Sequence, residues 1–311
     1  MPLGASPRGS KLAGPIVRER DAPSRGADVL LTALGPVAWG TTYVVTAALP
    51  HRPLLGSALR ALPAGLALTL LTRWRPEPGR WPQLAVLSGL NIGLFFPALY
   101  LGAQRLPGSV AAIVLAAQPS LTVFLAWWLL GQRPRLRLLA AALAGIVGVA
   151  MVVLRPVGEL DGVGLGAAAL AMVSWSLATT LTARWGWTMP LLGSLAWQLL
   201  LGGALDLLGA VLLERPLPGL GPLDLAGYGY LSAVGTAVAY GLWFRGLRRL
   251  PAAVVSMLGL LSPVVATLID VILLGQRLSW VQGLGIGLVL TGVIVAQTRA
   301  TEPRPSAGGE V

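Results

Sequence analysis

The pentapeptide LLGQR at residues 129–133 returns letter for letter at residues 273–277, 144 positions later in a chain of 311 residues. Pro119 and Pro263 stand at the same spacing, and no gap is needed between the two matches. A gap-free match over this distance predicts that the chain holds two copies of one structural unit.

The sequence between these landmarks is largely apolar. Hydrophobic residues make up 55% of the chain, charged residues 11%, and the mean hydropathy is +0.74, whereas a soluble domain carries roughly 25% charged residues. Since a membrane helix needs about 20 mostly apolar residues, we expect an all-α integral membrane protein with ten transmembrane helices. The predicted spans are about 27–48, 54–72, 82–103, 108–130, 136–154, 162–183, 190–212, 223–244, 251–274 and 279–297.

The distribution of Arg and Lys predicts how these spans are oriented. With the N-terminus inside, 17 of the 23 basic residues fall in inside segments, and cytoplasmic loops are the ones enriched in Arg and Lys. We therefore expect both termini in the cytoplasm of a multi-pass protein of the bacterial inner (plasma) membrane. Residues 1–26 and 299–311 are polar, and we expect the first to be a disordered cytoplasmic tail and the second a cytoplasmic tail.

The two copies are expected to be inverted relative to each other. An earlier motif, PLLGS at residues 53–57, recurs at 190–194, which divides the chain into repeats 27–155 and 156–298. Each repeat holds five predicted spans, an odd number, so the second must enter the membrane from the opposite side. Inverted repeats are typical of transporters, although duplication for structural reasons alone is the alternative.

Composition excludes several classes of site. The chain has no cysteine and one histidine, His51, so disulfides, thiolate catalysis and multi-histidine zinc sites are excluded. We expect no metal, no cofactor and no nucleic-acid partner, because the basic residues lie between apolar runs and indicate membrane topology. The expected partners are a small-molecule substrate and the lipid bilayer, with the protein acting as a monomer or homodimer.

Several motifs resemble one transporter family. RLPGSVAAI at 105–113 with Gln118-Pro119, and the second copy LPAA at 250–253, resemble the ten-span EamA-type branch of the drug/metabolite transporter superfamily. AWGTTYVVT at 38–46 and RALPAG at 60–65 resemble the bacterial pigment (indigoidine) exporter group within it.

This resemblance implies a basket of helices around a central cavity and export of metabolites, amino acids or drugs. One departure is visible. Many relatives have Glu at the ends of the fourth and ninth spans, where this chain has Gln132 and Gln276, so a role for a carboxylate there is not expected.

Ionisable groups inside spans are costly and are candidates for function. Arg60 could bind a substrate carboxylate, because its guanidinium is a fixed fork of donors, or it could pair with Asp206 to hold helices together. Asp270 and Asp206 are the candidates for proton coupling, with a wet interfacial carboxylate as the alternative for Asp270.

Polar and aromatic side chains inside spans are the candidate pocket, since aromatic walls with a few amide donors suit planar organic ligands. Interfacial anchoring is the alternative for aromatic residues near span ends. The predicted substrate-binding residues are Trp39, Tyr43, Arg60, Asn91, Phe95, Gln118, Trp175, Thr179, Gln198, Tyr240 and Ser262.

Proline and glycine add two expectations about the helices. Pro119 and Pro263 lie mid-span, where each removes a backbone hydrogen bond, and we expect hinges beside the site. Small residues in the fifth span (Gly148) and the tenth (Gly283, Gly287) predict close helix packing.

Together these patterns predict a secondary transporter that exports a small organic metabolite, amino acid-like compound, pigment or drug by alternating access, with proton coupling as an option. A lipid-modifying membrane enzyme and a channel are the alternatives. The enzyme is disfavoured because the carboxylates are isolated and the sequence has neither a Walker motif nor a nucleophile elbow.

Overall fold

A computed structural model describes residues 25–50, 52–106, 108–153, 161–185, 189–274 and 278–297. All regular structure in these ranges is helical. The α-helices are α1 (Arg25–Ala47), α2 (Pro53–Thr72), α3 (Trp81–Ser88), α4 (Phe95–Arg105), α5 (Gly108–Ala116), α6 (Gln118–Leu130), α7 (Leu136–Val153), α8 (Gly162–Trp185), α9 (Leu191–Leu213), α10 (Pro222–Ser232), α11 (Ala239–Arg249), α12 (Ala252–Leu258), α13 (Leu261–Leu274) and α14 (Trp280–Gln297).

Eight stretches of the described chain are helical, long and apolar enough to cross a membrane, and Leu136–Val152 is a shorter apolar helix. The protein is therefore an all-helical membrane protein, and the count of ten spans stays a prediction. The predicted span at 223–244 falls in the stretch from α10 to α11, where glycine and tyrosine residues lower the hydropathy.

Two π-helical segments join α-helices into continuous rods. Gly89–Leu94 lies between α3 and α4, and Ala233–Val238 lies between α10 and α11. The second begins 144 residues after the first, and α11 likewise begins 144 residues after α4. A π-helical segment disturbs the regular i to i−4 hydrogen bonding of a helix and is often found at functional sites.

The helices are also interrupted near the predicted proline kinks. α5 ends at Ala116 and α6 resumes at Gln118, while α12 ends at Leu258 and α13 resumes at Leu261. Proline has no N–H, and its ring clashes with the carbonyl four residues earlier, so Pro119 and Pro263 account for breaks at these two places.

Helix ends are fixed by identifiable groups. The Glu214 carboxylate, at the end of α9, accepts hydrogen bonds from the backbone N–H groups of Leu54 and Leu55 at 2.8 and 3.0 Å. It thereby caps the start of α2 with negative charge, where the helix dipole favours it. Gly131 ends α6 with a φ of 66°, a left-handed conformation that glycine adopts without strain.

Small residues let α7 and α14 pack closely. A Cβ on Gly148 would lie 2.8 Å from the Gly285 carbonyl oxygen, and a Cβ on Gly285 would lie 2.7 Å from the Gly148 carbonyl oxygen. The prediction of close packing was right for Gly148. It was wrong for Gly283 and Gly287, which have nothing within 4 Å, because they lie on the outer face of α14.

The helix pairs follow the sequence repeat. α2 packs on α9, and α7 packs on α14. α8 contacts α4 and α6, while α1 contacts α11 and α13. Large apolar side chains such as Leu213, Ile272 and Trp280 lie exposed on the outside, as expected for a surface solvated by lipid.

Candidate functional site

A cavity of about 180 Å³ lies at the centre of the helical bundle. Its wall draws on helices from both halves of the chain: α1, α2, α4, α5, α6, α8, α11 and α13, with the α12–α13 junction. The lining residues are Trp39, Thr42, Thr46, Arg60, Phe95, Phe96, Leu99, Tyr100, Ala103, Ala112, Leu115, Ala116, Gln118, Trp175, Tyr240, Gly259, Leu260, Ser262 and Pro263.

Three aromatic rings form one wall of this cavity. The ring centroids of Trp39, Trp175 and Tyr240 lie 5.4 Å apart in each of the three pairs, with interplanar angles of 71–84°. Edge-to-face contacts of this kind are favourable because the positive ring edge meets the negative ring face. Phe95 extends the wall, with its centroid 4.7 Å from that of Trp175. We call Trp39, Phe95, Trp175 and Tyr240 the aromatic wall.

The π-helical segment between α10 and α11 supplies a carbonyl to two cavity residues. The Gly235 carbonyl oxygen accepts a hydrogen bond from Trp39 Nε1 at 3.0 Å and another from Arg60 Nη2 at 2.8 Å. The irregular segment therefore positions both an aromatic and a cationic side chain. Gly235 has little space for a side chain, since a Cβ would lie 2.7 Å from Thr42 Cγ2.

Arg60 is buried at the cavity, with 6% of its surface exposed. Its Nε donates to Thr236 Oγ1 at 2.8 Å, and its guanidinium carbon lies 4.5 Å from the centroid of Phe96. The predicted alternative of a pair with Asp206 is not what the structure has, because Asp206 instead accepts a hydrogen bond from Ser57. No carboxylate of the described chain forms an ion pair with Arg60. A buried cation without a carboxylate partner suits an anionic or strongly polar ligand.

Three buried polar atoms around the cavity have no hydrogen-bond partner among the described residues. They are Tyr100 Oη, Gln118 Nε2 and Tyr240 Oη. Tyr240 is 1% exposed and Gln118 is 7% exposed. Because buried polar groups are generally hydrogen-bonded, these atoms are available to a ligand that enters the cavity.

The predicted pocket residues fall into two groups. The structure brings Trp39, Arg60, Phe95, Gln118, Trp175, Tyr240 and Ser262 together around the cavity. Asn91 and Gln198 lie outside its lining and bind each other, with Asn91 Nδ2 donating to Gln198 Oε1 at 2.7 Å. Thr179 is buried outside the lining as well.

Two other predicted residues have side chains outside the described part of the structure, Tyr43 and Asp270. Of the hinge prolines, Pro263 lines the cavity, and Pro119 is buried next to Gln118. Asp206, the second candidate for proton coupling, is buried in α9 and does not line the cavity. Within the described ranges, no group of three or more His, Asp or Glu residues converges to hold a metal ion.

Sequence reasoning missed some of the lining. Thr42 and Thr46 line the cavity three and seven residues after Trp39, which is the spacing of one helix face, so the signal was present. Phe96 had no comparable signal, because its role depends on Arg60 reaching it from another helix.

Comparison with known proteins adds three findings. The sequence model of the EamA-like transporter family matches residues 27–154 and 162–298. Protein PecM of Dickeya dadantii is 41% identical over 84% of this chain and 89% of its own length. The uncharacterized inner membrane transporter YedA of Escherichia coli K12 is 27% identical over 83% of this chain and 87% of its own. A crystal structure with 25% sequence identity superposes with a TM-score of 0.73, covering 88% of this chain and 97% of that one.

Proposed function

The chain belongs to the EamA-like transporter family, and we propose that it exports a small organic solute through the central cavity by alternating access. The observation that carries this proposal is the cavity itself. It combines an aromatic wall with a buried, carboxylate-free Arg60 and unpartnered polar atoms. Ligand sites are mostly apolar with a few placed polar groups.

The chemistry of the lining indicates the class of solute. The aromatic wall favours a planar ring system, because stacked and edge-to-face aromatic contacts are favourable. Arg60 favours a carboxylate or another anionic oxygen group on that solute. Gln118 Nε2 favours an acceptor. A planar aromatic pigment or metabolite with an acidic or carbonyl group combines these features.

An inverted repeat is the mechanism we propose for alternating access. Its support is that the π-helical segments, the interrupted helices and the packed helix pairs all recur at the spacing of the sequence repeat. Between α7 and α14, Gly148 meets Gly285, and a Cβ on Gly292 would lie 2.9 Å from the Ala141 carbonyl oxygen. Exchanging the halves at a spacing of 144 converts one contact into the other.

Two ion pairs follow the same exchange. Arg105, at the end of α4, pairs with Asp161 before α8 at 3.1 Å. Arg249 stands 144 residues after Arg105, at the end of α11, and pairs with Asp28 at the start of α1 at 3.2 Å. Asp28 also binds Arg245 at 2.8 Å. In an inverted repeat these two sets lie at opposite faces of the membrane, and we propose that they hold the two ends closed in turn.

For proton coupling we retain Asp206 and Asp270 as the candidate carboxylates. Asp206 is 1% exposed and accepts a hydrogen bond from Ser57 in α2. A proton on this carboxylate would change how α9 binds α2, which is a physical route from protonation to helix movement.

Binding and counterflow of planar aromatic acids test the proposal. The purified protein is titrated with aromatic acids, aromatic bases and aliphatic acids while its thermal stability is followed. We expect stabilisation by aromatic acids, since a ligand that binds only the folded state raises stability. The absence of both stabilisation and counterflow in proteoliposomes for every compound of the panel would exclude this solute class.

A further inference from the structure

A second cavity, of about 420 Å³, lies at the end of the bundle where α6 passes into α7. Its polar side is formed by Arg133, Arg135 and Arg137, and its apolar side includes Leu138 and Val254. We call it the arginine cavity. It is separate from the central cavity, with which it shares no lining residue.

The arginine cavity concentrates positive charge where the fold alone disfavours it. Three guanidinium groups stand within five residues, and Arg137 lies in the first turn of α7, which contains no acidic residue. A helix N-terminus repels cations, since its dipole is positive there. Among the described residues, the lining includes no Asp or Glu to offset these charges. The arrangement is therefore stabilised by an anion from outside the chain.

The shape of the site narrows the anion to a lipid. Arg133 and Arg135 lie exposed on the loop that follows Gly131, at the level where the membrane-crossing helix α6 ends. The apolar wall continues from this loop toward the bilayer along α6, α12 and α14. A phospholipid presents a phosphate next to acyl chains, so its two parts match the arginines and the apolar wall.

We propose that the arginine cavity binds the headgroup of an anionic phospholipid. The guanidinium groups bind the phosphate by charge-assisted hydrogen bonds, and the acyl chain packs against Leu138 and Val254. Basic pockets between transmembrane helices bind such headgroups in membrane proteins generally. The lipid would hold the α6–α7 connection against α12.

The test compares two triple variants with the same change in charge. One replaces Arg133, Arg135 and Arg137 by Gln. The control replaces Arg73, Arg75 and Arg80, which lie between α2 and α3 at the same end of the bundle and outside the arginine cavity. Binding of phosphatidylglycerol, cardiolipin and phosphatidylcholine to the delipidated full chain is measured by native mass spectrometry, with inorganic phosphate as a competitor.

We expect wild type and control to bind phosphatidylglycerol or cardiolipin in preference to phosphatidylcholine. The variant of the arginine cavity should lose about tenfold or more in affinity, because each basic residue contributes to the attraction of anionic lipid. If that triple variant does not fold, the exposed single variants Arg133→Gln and Arg135→Gln replace it. Equal losses in both triple variants, equal binding of phosphatidylcholine, or displacement of lipid by millimolar phosphate would each overturn the proposal.

Discussion

Trp39 and Trp175 meet edge to face inside the bundle, with 5.4 Å between ring centroids and an interplanar angle of 82°. One stands in α1 and the other in α8, the first helix of each half of the chain. The contact joins the two halves at the cavity, so a ligand that binds there touches both. The predictions below follow from this arrangement.

The aromatic wall should contribute to solute affinity. We expect Trp175→Phe to weaken binding of an aromatic solute about three- to tenfold, because an aromatic pair contributes roughly 0.5–1.5 kcal/mol. Ligand titration followed by thermal stability measures this effect. Trp280→Phe is the matched control, since this indole is 77% exposed on the outside of α14. An equal effect of both substitutions would contradict a binding role for Trp175.

Arg60 should select anionic solutes. We expect Arg60→Gln to raise the KM for an aromatic acid about tenfold to a hundredfold and to leave a neutral aromatic analogue little affected, since a hydrogen bond to a charged group contributes about 1.5–3 kcal/mol. Arg60→Lys should lie between, because an ammonium lacks the planar fork. Arg52→Gln, at the start of α2, serves as the control. Loss of transport for both solutes alike would show that Arg60 only holds the fold together.

The sequence predicted the helical membrane fold and about two-thirds of its candidate pocket for identifiable reasons. Apolar runs report burial in lipid, and mid-span aromatic residues such as Trp39 and Trp175 have no reason to lie at an interface. The sequence did not separate Asn91 and Gln198, which bind each other, from Gln118, which lines the cavity. Which polar groups satisfy one another depends on contacts between distant helices, and no local pattern records them.

Close packing of α7 and α14 should depend on Gly285. We expect Gly285→Ala to lower the stability of the folded protein by roughly 1–3 kcal/mol, because the added methyl group overpacks a backbone contact. Thermal unfolding in detergent measures this change. Gly283→Ala, two residues earlier on the outer face with nothing within 4 Å, should have almost no effect, and a similar loss in both variants would contradict the packing described.

The two ion pairs should set which end of the bundle is open. The chain has no cysteine, so a single Thr46→Cys in the cavity lining reports access to a membrane-impermeant maleimide. We expect Asp28→Asn to increase labelling from the face where α11 ends, and Asp161→Asn to increase it from the opposite face. An increase from the same face in both variants would rule out opposite placement of the pairs.

The Arg105–Asp161 pair should resist mild acidification. The hydrogen bond from Arg105 holds the pKa of the Asp161 carboxyl below its ordinary value of 3.8. A lowered pKa in the folded state means that the pair contributes above the ordinary value and is lost only as the pH falls through the lowered one. Labelling of Thr46→Cys in the Asp161→Asn background should therefore differ from labelling in the wild-type background at pH 5 as it does at pH 7. Disappearance of the difference by pH 5 would contradict this assignment.

Solute counterflow into proteoliposomes tests the central claim, passage through the cavity, most directly. The variant Thr46→Cys is measured before and after maleimide modification, with Gly283→Cys on the outer face of α14 as the control. We predict that modification abolishes counterflow of an aromatic acid in Thr46→Cys and leaves it unchanged in Gly283→Cys. Undiminished counterflow through modified Thr46→Cys would show that the solute does not pass through this cavity.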